Sequence, residues 1–443
     1  MSEPRTPLTE ELTEAAATVS LVPRSAVLFI FVTVLLDMIG LGLILPVVPA
    51  LLADVGATDL GQATVIGGWM FAAYALAQFL FGPVMGSLSD AYGRRPLLLL
   101  AIGGLAVDYV FSALAPTLVL IFVGRVIAGL CGASHVIAFA FLTDITTPER
   151  RARAFGMVGA ALGLGFVIGP AIGGLLGEFG PRVPFWAAAG VSALNLVFGW
   201  FVLPETLPPE NRRRFDWRRA NPFGMFKVFR GYPTVLPLTG VLGLYLFAGA
   251  IYPTLWAFWG IAQFGWSEAM IGVTLAAFGI LTATTEGLLS GPLVRRLGEH
   301  RIVVIGLAIA SLGALGFGLA TTLTMVLALL VFVAFEGLVH PCLTAVMTKE
   351  VPDDAQGELQ GGISGLSNLA MLFGTIFFSQ IFGWFVRPEA VTPRPGAPFV
   401  IAAGLLALAL VVYLALRRSG EGTDGGGLTQ AAPHSTLGPQ EAP

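Results

Sequence analysis

Six ionisable residues stand inside long runs of apolar residues: Asp37, Asp108, Arg125, Glu286, Glu336 and His340. In a bilayer such a residue costs about 3 kcal/mol or more at mid-depth, so it persists where it pairs or faces water. The chemistry open to this set is proton exchange by carboxylate and imidazole, ion pairing, and recognition of a charged solute. Bond-breaking chemistry is not indicated. The sequence has no GxxxxGK[ST] loop, so ATP has no site of its own here. Cys131 and Cys342 both lie in apolar runs and imply no disulfide framework. No Cys/His spacing suits a metal. The chain therefore reads as a non-enzyme without cofactor or metal.

Position along each run sets depth. Asp37 lies thirteen residues past Arg24, and Asp108 thirteen past Arg95. At ~1.5 Å per residue each is about 20 Å from that basic rim. Arg125 lies nine residues past Pro116, about 13 Å from the opposite rim. In a hydrocarbon core of about 30 Å the three share one level. An Asp–Asp–Arg cluster there serves either a proton route or an ion pair that fixes helix register. Glu286 is nine residues before Arg295, and His340 nine before Lys349, so both lie about 13 Å in. Glu336 is one turn from His340, which predicts a shared helix face. With Thr282 and Thr285 they are expected to line a central cavity.

The elements that must position these groups follow from composition. Of 443 residues, 56% are hydrophobic and only 12% charged, about half the charge of a soluble chain. Mean hydropathy is +0.82. The apolar runs are continuous, which excludes a porin-like barrel, and each is long enough to cross a bilayer as a helix. The prediction is an all-α polytopic membrane protein with twelve transmembrane helices. They fall near 25–47, 63–86, 97–115, 117–143, 154–177, 184–203, 233–257, 270–293, 302–320, 323–347, 359–386 and 397–416. Lys and Arg crowd one set of loops: Arg94–Arg95, the arginines of 150–153 and 212–230, Arg295–Arg301 and Lys349. The other set holds Arg182, Arg387 and Arg394. The rich side is expected to be cytoplasmic, so both termini of this inner-membrane protein are expected there. The first residues lack the basic start and apolar core of a signal peptide.

The expected organisation is a cytoplasmic tail at 1–24, one six-helix bundle at 25–203, a linker at 204–232, a second bundle at 233–416 and a disordered tail at 417–443. The linker mixes arginines with Phe215, Trp217, Phe223, Phe226 and Phe229. It reads either as an interfacial segment or as a plain solvated one. Gly86, Leu88 and Gly93 recur 205 residues later as Gly291, Leu293 and Gly298, after the second span of each half. This repeat predicts two bundles related by a pseudo-two-fold axis along the membrane normal.

Three motifs carry a family resemblance. The stretch Gly86-x-Leu88-x-Asp90-x2-Gly93-Arg94-Arg95 resembles the signature loop between spans two and three of the major facilitator superfamily. Span four carries Gly124-Arg125-x3-Gly129, similar to that superfamily's span-four arginine motif. Span five carries Gly156-x8-Gly165-x3-Gly169-Pro170-x2-Gly173-Gly174, similar to its antiporter motif. With Asp37, Asp144, Pro148–Gly156, Gly265-Trp266 and Gln356–Gly361, these resemble the tetracycline/proton branch of the 12-span drug antiporters. The resemblance implies a proton-coupled antiporter exporting small amphipathic compounds. A metabolite exporter or passive carrier on the same fold is the alternative, because fold does not fix substrate. Implied partners are a small-molecule substrate, protons and the lipid bilayer, with no nucleic acid, for a monomer. It also implies that Asp90 is a switch residue closing the cytoplasmic side against the start of span eleven, where Asp353 and Asp354 are possible caps. This chain departs from the branch in its second half. Thr282 stands where the branch has a span-eight histidine, and Ala310 where it has a span-nine aspartate. Glu286 replaces a glutamine, and Glu336 and His340 have no counterpart.

Overall fold

The computed structural model describes residues 24–132, 134–216, 221–232, 234–352, 355–388 and 392–423. Among the described residues, twelve helical spans are long and apolar enough to cross a membrane. In the first half they are α1 (Val27–Asp54), α2 (Leu60–Tyr92), α3 (Arg94–Leu114), α4 (Leu118–Ile145), α5 (Ala154–Gly177) and α6 (Val183–Val202). In the second they are α7 (Val235–Phe264), α8 (Glu268–Leu297), α9 (Glu299–Leu319), α10 (Leu323–Lys349), α11 (Gln356–Val386) and α12 (Ala397–Arg418). In lipid each backbone must satisfy its own hydrogen bonds, and a helix does so without outside partners.

The pairing of spans carries the symmetry. In the first half α1 packs on α5, α2 on α4 and α3 on α6. In the second α7 packs on α11, α8 on α10 and α9 on α12. Adding six to each index turns one set into the other. The repeated glycines share a conformation as well. Gly93 has φ 107° and ψ 154°, and Gly298 has φ 75° and ψ 156°. Each is the single residue between two helices, where a side chain would be strained.

That geometry corrects one expectation. The signature stretch is not a loop, because α2 stays helical through Tyr92 and α3 resumes at Arg94. Several spans are also longer than predicted. α1 runs on to Asp54 through a 3₁₀ turn at Leu45–Val47, where Pro46 and Pro49 interrupt the backbone ladder and restart it. Helix continues past the end of α12 to Thr423, inside the segment expected to be disordered. The expected tail at 1–23, residues 424–443, Trp217–Ala220 of the linker and Asp353–Asp354 lie outside the described residues.

The halves meet through α2 with α11 and α5 with α8. Both contacts are tight on the arginine-poor side, where small residues let backbones approach. Gly61 and Val65 of α2 lie on Gly383 of α11, and Gly68 lies on Thr375 and Ser379. Gly174 of α5 lies on Glu268 and Gly272, and Val167 on Gly279. Toward the arginine-rich side the halves part. A Cβ at Gly156, Gly159 or Gly163 of α5, at Gly287 or Gly291 of α8, or at Gly357 or Gly361 of α11 would meet nothing within 4 Å. The molecule is closed on the arginine-poor side and splayed on the other.

Candidate functional site

In the first half the acidic residues divide into two clusters. Asp37 is buried and accepts hydrogen bonds from Ser134 Oγ (2.9 Å) and Asn195 Nδ2 (3.4 Å). Asn195 is itself held by the Thr33 hydroxyl and carbonyl. Asp108 forms an ion pair with Arg125 at 2.9 Å, and Ser112 bridges the pair. The shared depth does not bring Asp37 onto Arg125. Depth follows from counting residues, whereas the direction of a side chain around its helix follows from packing. Sequence reading overlooked Ser134 and Asn195, although an asparagine within an apolar span was the available signal.

In the second half two irregular turns face each other. Thr285–Leu289 of α8 is a π-helical turn and Ala334–Leu338 of α10 is a 3₁₀ turn, and the two are in contact. Such turns recur at functional sites and hinges. Glu286 sits on the first and is exposed, with its carboxylate over Gly337. Glu336 sits on the second and is buried. His340 is half-buried, and no ion pair joins it to Glu336 among the described residues. The expected shared face assumed an α-helix. A 3₁₀ turn rotates about 120° per residue instead of 100°, which swings the two roughly 40° further apart. Thr285 and Thr282 remain beside Glu286, and the Thr282 Oγ1 has no hydrogen-bond partner among the described residues.

A cavity of about 500 Å³ lies between the halves. Leu45 and Phe166 come from the first half, and Tyr252, Trp256, Phe278 and Glu336 from the second. Asp37, Asp108, Arg125, Glu286 and His340 are not among its lining residues. The expected single lining therefore resolves into one cavity carboxylate, Glu336, with Glu286 outside that lining and against Gly337. The aromatic lining was not foreseen, because aromatic residues are spread throughout the apolar runs.

The signature residues form a separate site at the arginine-rich face. Arg94 is buried and pairs with Asp90 and with Asp144 (3.0 Å), and it donates to Ser89 Oγ at 2.7 Å. Its backbone N–H donates to Glu205 of the linker at 2.9 Å. The Arg213 N–H donates to the Asp90 carbonyl at 3.1 Å. Arg95 instead donates to the Trp200 carbonyl. Asp90 is thus engaged by Arg94 and the linker in this conformation. Gly86 packs only lightly, against Val136.

The span-five motif serves two helices. Gly165, Gly169 and Gly173, spaced four apart, lie against Met38, Gly42 and Leu43 of α1. Pro170 and Gly174 lie against Gly272 of α8. Gly156 touches neither.

The family model described as Major Facilitator Superfamily matches residues 30–375 and 240–436. A tetracycline resistance protein, class C, of Escherichia coli is 38% identical over 395 residues, covering 89% of this chain and 97% of its own. Multidrug resistance protein 2 of Bacillus subtilis is 27% identical, covering 83% and 90%. Among solved structures, the human organic anion transporter MFSD10 (TETRAN) superposes with a TM-score of 0.67 at 25% identity, covering 88% of this chain and 99% of its own. These relatives bear out the resemblance to the tetracycline-resistance branch that the motifs carry. With twelve spans in two like halves and a family match that runs through both, this chain belongs to the Major Facilitator Superfamily.

Proposed function

We propose that the protein exports small amphipathic compounds across the inner membrane in exchange for protons. The observation that carries this reading is the cavity between the halves, closed on the arginine-poor side and bearing a buried carboxylate. By the positive-inside rule the arginine-rich side, with both termini, is cytoplasmic. The conformation is then inward-facing, and the cavity receives its solute from the cytosol. Similarity to a tetracycline resistance protein and a multidrug resistance protein supports efflux of drug-like compounds, with tetracycline among the compounds to test. Asp37 is the proposed proton carrier, since it is buried and, among the described residues, is held by the neutral Ser134 and Asn195. The protein works as a monomer in the bilayer, on its solute and protons, without nucleic acid and without altering the solute chemically.

Inside-out vesicles containing the protein test this reading. Acidifying the lumen is expected to drive uptake of tetracycline or of another amphipathic compound, and a protonophore is expected to abolish it. Uptake at an unchanged rate after the gradient is collapsed would identify a passive carrier instead. A complete lack of uptake across a chemically varied panel would overturn export.

A further inference from the structure

We propose that the turn joining α8 to α9 binds an anionic phospholipid, with its phosphate held by Arg295, Arg296 and Arg301 and its acyl chains along the outer face of α9. The proposal does not depend on the transport reading above.

The two copies of the repeated glycine turn use their charges differently. In the first, Arg94 is buried and pairs with Asp90 and Asp144, and Arg95 donates to the Trp200 carbonyl at 2.7 Å. In the second, Arg295 stands in place of Asp90, and Glu299 and His300 in place of Arg94 and Arg95. Glu299 pairs with Lys349 at the end of α10. The carboxylate of this turn is therefore already engaged. Arg295, Arg296 and Arg301 are exposed, and no described ion pair includes any of them.

The support beneath these cations is fixed. Leu293, Val294 and Leu297 pack against the buried core of the second half. Glu299 ties the start of α9 to α10, and His300 Nδ1 is hydrogen-bonded to the Tyr413 hydroxyl of α12 at 2.7 Å. Packing of the apolar residues leaves the arginines outward, at the end of two spans where headgroups lie. The planar fork of a guanidinium matches phosphate oxygens, and basic clusters beside membrane helices attract anionic headgroups.

The face below Arg301 favours a lipid over a soluble anion. Ile305, Leu312, Leu315 and Leu319 are exposed on α9. They follow Arg301 by four, eleven, fourteen and eighteen residues, which puts all of them within about 40° of one line along the helix. An acyl chain along that line brings its headgroup to Arg301. A soluble anion would meet the arginines alone. A zwitterionic lipid brings its own cation, which the arginines repel.

Phosphatidylglycerol and phosphatidylcholine with the same acyl chains separate charge from chain. Binding of each to the purified full-length protein in a non-ionic detergent is measured by native mass spectrometry, so it does not depend on transport. The wild type is expected to prefer phosphatidylglycerol. Joint replacement Arg295→Gln, Arg296→Gln and Arg301→Gln is expected to weaken phosphatidylglycerol about 10-fold or more while changing phosphatidylcholine little. Lys at all three positions keeps the charge, is expected to restore part of the preference, and guards against a folding defect. Lys227→Gln with Arg230→Gln removes exposed charges from the linker instead and is expected to leave the preference intact. Equal affinity for the two lipids, no binding of either, or no selective loss in the triple Gln variant would overturn the proposal. An equal loss in the linker variant would show diffuse attraction to the whole basic face and would overturn it as well. Displacement of phosphatidylglycerol by millimolar inorganic phosphate would identify a free-phosphate site in place of a lipid site.

Discussion

At the scale of single residues, two carboxylates make opposite kinds of contact. Asp37 is enclosed, and its bonds to Ser134 and Asn195 hold it within one half. Asp37→Asn is expected to reduce proton-driven uptake roughly tenfold or more while the protein still inserts, since no charged partner is orphaned. Asn195→Ala removes one hydrogen bond to a charged group and is expected to cost about 1.5–3 kcal/mol, read as a lower unfolding midpoint in detergent. Glu178, by contrast, lies outside the spans at the end of α5 and reaches across to the other half. Its Oε1 accepts from the Ala269 N–H at 3.1 Å at the start of α8. Its bonds to Ser267 and Ala269 hold its pKa below the ordinary 4.5. A depressed carboxylate pKa gives a closing contribution that is complete above the ordinary value and is lost as pH falls through the lowered one. Closure of the arginine-poor side is therefore expected to be flat from about pH 5 to 8 and to weaken in more acidic buffer. Glu178→Gln is expected to remove that dependence. Cross-linking across the closed side reads both, and a wild-type response identical to Glu178→Gln would refute the latch.

At the scale of elements, α5 shows why one glycine motif has unequal members. A Cβ at Gly169 would lie 2.7 Å from Gly42 Cα and 2.8 Å from the Ile39 carbonyl. Gly169→Ala is expected to cost about 1–3 kcal/mol, because neither backbone can yield cheaply. Gly156 faces open space, and Gly156→Ala is expected to be neutral or to stabilise by up to about 1 kcal/mol through helix propensity. Unfolding midpoints of the two variants in detergent check the contrast. The linker supplies a second case. Phe223 and Phe226 lie 5.5 and 6.2 Å from the buried ring of Phe79 on α2, and the turn carrying Phe226 also packs on α11. Those contacts are made in the conformation splayed on the arginine-rich side. Replacing both Phe223 and Phe226 by Ala removes contacts worth about 0.5–1.5 kcal/mol each. The double variant is expected to shift the population several-fold away from the state splayed on the arginine-rich side.

At the scale of the whole molecule, the proposed export requires the two halves to open alternately on either side of the cavity, so that contacts on one face exclude contacts on the other. Val65 and Gly383 meet on the closed side, where a Gly383 Cβ would lie 2.6 Å from Val65 Cγ2. In a background with Cys131 and Cys342 replaced, Val65→Cys with Gly383→Cys is expected to form a disulfide on oxidation and arrest uptake, with recovery on reduction. Uptake that continues in the oxidised protein would show that this closed face need not open. The same cross-link measures the population shift of the linker variants and the pH response of Glu178.

Local chemistry made much of this legible in advance. A run of apolar residues must become a helix in lipid, because its backbone has no other partner, so the span count and the depth of each charge follow from the sequence. The repeated Gly86/Gly93 and Gly291/Gly298 pattern carried the two-fold relation for the same reason, since its geometry is set by one residue at each copy. Direction around a helix is different, because it depends on which neighbour each face meets. Counting placed Asp37 level with Arg125, but packing turned it toward Ser134 and Asn195. The 3₁₀ turn of α10 parted Glu336 from His340, and the cavity drew its aromatic wall from α7 and α8. Nothing in the local sequence marks Glu178 or Glu205; folding brings Ala269 and Arg94 to them across 91 and 111 residues of chain. What the sequence by itself determined is the inventory of spans and how deep each charge lies. Only the tertiary structure decided which charges meet, which face the cavity and which side is closed, because those depend on contacts between residues far apart in the chain.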